Sequence, residues 1–130
     1  VTITLPGRVP SKKNSKRIIL AGGRPRLISS EAFLTWHVEM MLRVRRFRPK
    51  VPIARASVAI TLFAESRRRF DLSNAAESVM DLLVDAEILA DDSWAVVPEL
   101  TLKFGGVEPE GARTEIQLTN YPEHEKALPE

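Results

Sequence analysis

Nine residues, Ala56 to Ala64, constrain the fold more than any others in this chain. Val58, Ile60 and Leu62 alternate with Ala59, Thr61 and Phe63, and both sets are largely apolar. Alternation with two apolar faces describes a strand in the middle of a sheet. The rest of the chain must therefore supply neighbouring strands and a cover.

The flanking segments read accordingly. Val1 to Leu5 alternates apolar and hydroxyl residues and reads as a short strand ended by Pro6-Gly7. Residues 8 to 17 form a basic loop without a hydrophobic period. Ile18 to Leu20 and Arg26 to Ile28 flank Ala21-Gly22-Gly23 as a hairpin. Ser29 or Ser30 caps a helix with Glu31 in its first turn, and that helix runs to about Arg46 through Phe33, Leu34, Val38, Met41 and Leu42. A second helix begins near Asp71 or Ser73 and continues through Glu87. A strand covers about Ala95 to Phe104 with Gly105-Gly106 turning after it, and a last strand runs from Arg113 to Leu118. The expectation is one α+β domain, residues 1–120, with a mixed β-sheet covered by two helices, and a loosely ordered tail over 121–130.

At 130 residues the chain can bury a core without covalent help. Cysteine is absent, which excludes disulfides, thiolate zinc sites and cysteine nucleophiles. His37 and His124 are the two histidines and form no metal motif. Any metal site must use oxygen ligands, which favours magnesium, manganese or calcium. No apolar run suits a transmembrane helix, and the start lacks the pattern of a signal peptide, so no membrane partner and a cytoplasmic location are expected.

Charge is split along the chain. Residues 1 to 69 hold 16 lysines and arginines against 3 acids, a net of +13, whereas residues 70 to 130 hold 3 against 14, a net of −11. The whole chain carries only +2. The halves can simply neutralise each other on folding, since surface ion pairs are common and weak. That explains less well why bases bunch in loops and acids in one helix. The boundary is abrupt: Arg67-Arg68-Arg69-Phe70 leads straight into Asp71-Leu72-Ser73-Asn74. Basic and acidic groups meeting at one place suit a protein that holds a polyanion against a metal ion.

On a helical wheel at about 100° per residue, Ala75, Val79, Leu82, Leu83 and Ala86 form the core stripe of the acidic helix. Asn74, Glu77, Asp81 and Asp85 lie opposite. For Asp85 and Glu87 a solvated face is the preferred reading, while for Glu77 and Asp81 solvation and metal binding are close. Asp71 also suits an N-cap. Glu77, Asp81 and Asp85 repel one another by a few tenths of a kcal/mol per pair, roughly, unless a cation intervenes. If the segment Ile88 to Ser93 turns the chain back tightly, Asp91 and Asp92 approach the N-terminal half of this helix, and the two clusters together hold a hard divalent ion.

The pattern Asp71-x-x-Asn74, then Asp81-Leu82-Leu83, then Ile88-Leu89-Ala90-Asp91-Asp92 resembles the RusA-family Holliday junction resolvases (crossover junction endodeoxyribonucleases). Pro10-Ser11-Lys12-Lys13-Asn14-Ser15 and the Arg24 to Arg26 hairpin resemble that family too, and the likeness runs from about Val1 to Leu118. It implies a homodimer, often of phage or prophage origin, that resolves four-way DNA junctions by symmetric nicking with Mg2+ or Mn2+. It also implies that Asp71 is a metal ligand, Asn74 its supporting neighbour and Asp92 the later catalytic aspartate, with Asp91 beside it. The chain departs from the family at two positions: Ser73 stands where a second Asp belongs, and Glu77 replaces a lysine. Residues 73 and 77 stand one above the other on a helix, and Glu is longer than Asp, so Glu77 reaching back is a way to fill the gap. The expected acids are then Asp71, Glu77 and Asp92, with Asp81 as a nearby ligand or partner. The alternative is a degenerate metal site on a non-catalytic structured-DNA-binding protein, and a third reading is an RNA-processing or generic nuclease.

Lys12, Lys13, Asn14, Lys16, Arg17, Arg24, Arg26 and Arg67 to Arg69 (Arg67, Arg68, Arg69) are the expected DNA contacts, tracking the phosphate backbone. Arg43, Arg45, Arg46 and Arg48 read equally well as a solvated helix end that favours cations. Phe33, Trp36 and the methionines after Glu39 read as core or dimer interface. Trp94 is a candidate to pack over the metal site, and His37 reads as structural or surface.

Overall fold

The computed structural model describes residues 1–11, 16–29 and 31–121, and for 16–21 and 24–29 it describes the backbone. In chain order these residues form β1 (Thr2–Pro6), β2 (Lys16–Ala21), β3 (Arg24–Ser29), α1 (Glu31–Val44), β4 (Ala56–Ala64), α2 (Leu72–Asp85), β5 (Glu99–Val107) and β6 (Arg113–Asn120). The fold is α+β. A mixed four-stranded sheet in the order β1-β6-β4-β5 carries both helices, and β2 pairs with β3 as a separate hairpin.

β4 is central, as its two apolar faces require. It runs antiparallel to β6 and parallel to β5. A parallel neighbour needs a crossover, and α2 supplies it. Ala56, Val58, Ile60 and Leu62 bury one face, joined by Ile3 and Leu5 of β1 and Ile116 and Leu118 of β6. Phe33, Trp36, Met40 and Val44 of α1 and Ala75, Val79, Leu82 and Leu83 of α2 complete the same core. Ser57, Ala59, Thr61 and Phe63 are half-buried on the other face.

Several boundaries differ from the sequence expectation, each for a local reason. α1 stops at Val44 and tightens into a 3-10 turn over Arg45–Phe47, because Arg48 is extended and donates its N–H back to Arg45 O ahead of Pro49. α2 stops at Asp85, not Glu87. Glu87 takes φ 59°, and the N–H groups of Glu87 and Ile88 donate to Val84 O and Leu83 O. That pattern is a Schellman cap with Glu where Gly is usual, and buried Ile88 supplies its apolar contact.

β5 begins at Glu99, not Ala95. Val96 and Val97 instead donate to Ser93 O in a turn, and Ala56 N donates to Val96 O. Gly105-Gly106 does not end β5. Leu62 pairs with Phe104 and Phe63 with Gly106, so Gly105 is the extra residue of a β-bulge. The hairpin is longer than expected and turns on Gly22 and Gly23, both at positive φ (60° and 76°), the requirement of a two-residue type I′ turn. Tyr121, expected in the tail, is tied down: its N–H donates to Arg55 O and the Arg55 guanidinium lies 5.0 Å over its ring. Among the described residues no helix is long and apolar enough to cross a membrane.

Candidate nucleic-acid cleft and the acidic residues

β1 and β4 point the same way, because each is antiparallel to β6. Their C-terminal ends therefore deliver residues 7–11 and 65–71 to one end of the sheet. Arg67, Arg68 and Arg69 are exposed there. Asp71 ends the loop as N-cap of α2. Its Oδ1 accepts from Ser73 N at 3.0 Å and from Ser73 Oγ at 2.7 Å. The residue standing where the resemblance has a second acid is thus a hydroxyl donor that orients the first.

A cleft of about 830 Å3 opens beside this cap. Arg8, Pro10 and Ser11 form one wall, and Arg68, Arg69, Asp71 and Asn74 another. α1 supplies the third through Glu31, Thr35, Trp36 and Glu39. Three guanidinium groups and three carboxylates thus line one cavity. Ser78, fully buried on α2, donates from Oγ to Pro10 O at 2.7 Å and fixes the first wall against the helix.

Sequence reasoning did not assign Arg8, Glu31, Thr35 or Glu39 to the site. Glu31, Thr35 and Glu39 follow one another at a spacing of four, which puts them on one face of α1. Which way that face points is decided by the packing of Phe33, Trp36 and Met40 into the core. Trp36 is buried, and among the described residues its Nε1 has no hydrogen-bond partner.

The expected gathering of Asp71, Glu77 and Asp92 is not found. Among the described residues no three His, Asp or Glu side chains stand together as a metal-holding group. The backbone explains the separation. Fourteen residues of α2 span about 21 Å between the Asp71 cap and the far end of the helix. Beyond that end Leu89 bridges to Ile53, just before β4, and the turn that follows is held to Ala56. Asp91 and Asp92 are therefore pinned near the start of β4, while Asp71 follows its end. The segment Ile88 to Ser93 does not turn back along the helix. Both aspartates are exposed. The Asp92 backbone N–H and then the Ser93 side chain hold the Asp91 carboxyl below the ordinary aspartate range.

Glu77 is exposed and Asp81 half-buried, one and two turns beyond Ser73. Ser73 Oγ is already engaged with Asp71. Asp85 is paired with His37 rather than simply solvated. Trp94 is 83% exposed. Lys12, Lys13 and Asn14 lie outside the described residues. Lys16, Arg17, Arg24 and Arg26 belong to the β2–β3 hairpin, where Ala21 pairs with Arg24 and Ile19 with Arg26.

Comparison with known protein families and with curated proteins returns no match.

Proposed function

We propose that this chain binds branched DNA and acts on it as a divalent-metal-dependent endonuclease, resolving four-way junctions by paired nicks as a homodimer in the cytoplasm. The observation that carries this reading is Asp71, oriented by Ser73 at the edge of a cleft shared with Arg8, Arg68 and Arg69. Arginines hold and position phosphates. A carboxylate fixed by two donors is pre-organised to receive a hard cation such as Mg2+ or Mn2+, whose chemistry is to activate water and neutralise the reacting phosphate.

Among the described residues the acids of one chain do not make a complete cage for that ion. Asp71 lies at one end of α2 and Asp91 and Asp92 past the other. The homodimer rests on the family resemblance and on symmetry: two nicks across a two-fold junction suit two related sites. The same separation favours a second reading, a structured-DNA-binding protein without catalysis.

A labelled four-way junction, incubated with Mg2+, with Mn2+ or with neither, separates the two. Symmetric nicks that vanish in Asp71→Asn and in Asp92→Asn, with the mobility shift retained, support the nuclease. Cutting unaffected by either substitution overturns the assignment of these acids. A shift without nicks establishes the binder. Glu77→Gln tests the compensation idea, which full activity in that variant removes. Duplex DNA and RNA in parallel reactions report whether the substrate is a junction at all.

A further inference from the structure

Arg68, Arg69 and Phe70 line two cavities: the cleft above, and a groove of about 400 Å3 beside the C-terminal half of β5. The floor of the groove is apolar, with Phe70, Leu72, Phe104 and Val107, and Arg67 joins the other two arginines on its rim. Phe104 is 45% exposed and Val107 40%, which is unusual for large apolar side chains on a sheet. Phe70 meets Phe104 edge-on, ring centres 6.1 Å apart, so the floor is continuous.

β5 is also the last strand of its sheet. It pairs with β4 over its whole length and, among the described residues, with nothing on its outer side. Proteins usually guard such an edge with charges, bulges or a covering segment. Here Lys103 and the Gly105 bulge are present, but the apolar floor beside them is left open.

Three features coincide: unused main-chain donors and acceptors, an apolar floor and a rim of three guanidinium groups. A nucleic-acid backbone satisfies the third alone. An extended peptide that carries both apolar side chains and carboxylates on the side facing the groove satisfies all three, its main chain meeting the strand edge, its apolar groups the floor and its carboxylates the rim. We propose that the outer edge of β5 and its arginine rim form a docking groove for an acidic, extended segment of a partner protein, bound as an added strand. This goes beyond the nuclease reading and does not depend on it.

The probe is a fluorescein-labelled ten-residue peptide repeating Leu-Leu-Glu-Glu, which offers leucine and glutamate in turn on each side of an extended strand, titrated with the full chain by fluorescence polarisation. The expected result is saturable binding that falls at least tenfold in Phe104→Asp and in Arg67→Glu, each checked for native circular dichroism. Methylating alternate backbone nitrogens of the peptide should weaken it by a similar factor, since that removes the ladder and leaves charge intact. A lysine-for-glutamate peptide should not bind. The proposal is overturned by no binding, by binding that survives both the backbone methylation and Phe104→Asp, or by complete displacement with a ten-nucleotide single strand when methylation has no effect. It is equally overturned if light scattering shows self-association that Phe104→Asp abolishes, because the occupant is then a second copy.

Discussion

His37 Nε2 lies 2.9 Å from Asp85 Oδ2, a polar tie between the middle of α1 and the last residue of α2. The imidazole is mostly buried, its ring centre 5.4 Å from Phe33 and 6.4 Å from Trp36, while Asp85 is 58% exposed. His37 Nδ1 is buried without a partner, so Nε2 carries the polar contacts of this side chain among the described residues. Asp85→Ala should lower stability by about 0.5–1 kcal/mol, since one partner is exposed and the bond is screened. Urea denaturation of the single variants and of the His37→Ala, Asp85→Ala pair measures it. A coupling energy indistinguishable from zero would remove the tie from the account.

Glu87 occupies a left-handed backbone position that glycine fills without strain. Its side chain pairs with Arg48, but both groups are more than half exposed. Glu87→Gly should therefore stabilise the protein by about 0.5–1 kcal/mol, because strain relief outweighs a surface ion pair. A thermal melt is the check. A lower midpoint would mean that Arg48 matters more than the backbone.

Gly105 gives the bulge in β5 its room. A methyl group there would stand 2.5 Å from Cε1 of Phe63, whose ring is held on β4 with the Arg113 guanidinium 3.8 Å over it. Arg113 is itself paired with Glu108 and Glu115. Gly105→Ala should cost about 1–3 kcal/mol from overpacking. Phe63→Leu in the same chain should recover part of that loss, giving a non-additive double-mutant cycle. Strict additivity would show that the contact is not the cause.

Ser78 connects the core to the cleft. Removing the bond to Pro10 O in Ser78→Ala should cost about 1 kcal/mol. The distinctive consequence lies elsewhere: amide exchange of Val9 and Ser11 should accelerate, and junction affinity should fall severalfold as the wall bearing Arg8 loosens. Unchanged exchange at both amides would contradict the positioning role.

How much was legible in the sequence varies with the range of the interaction involved. The alternation in Ala56 to Ala64 identifies the central strand, and the stripe from Ala75 to Ala86 identifies the buried face of α2, because periodicity is local. Asp71 as N-cap is local too. The misplaced ends have a common origin. A helix pattern extends through Glu87 because the left-handed turn there has no glycine to mark it, and Gly105-Gly106 reads as a turn because a bulge and a turn share the same residues.

The amino-acid sequence by itself determined the class of fold, the segregation of basic from acidic residues and the identity of the capping carboxylate, all of which follow from residue types at short spacing. Tertiary structure alone decided which carboxylates share a space. Residues 71 and 92 are kept apart by the length of α2 and by the bridge from Leu89 to Ile53, whereas Glu31 and Glu39 reach the same cleft as Asp71 because two helices cross. Long-range proximity depends on how rigid elements pack against one another, and spacing along a chain carries no measure of that.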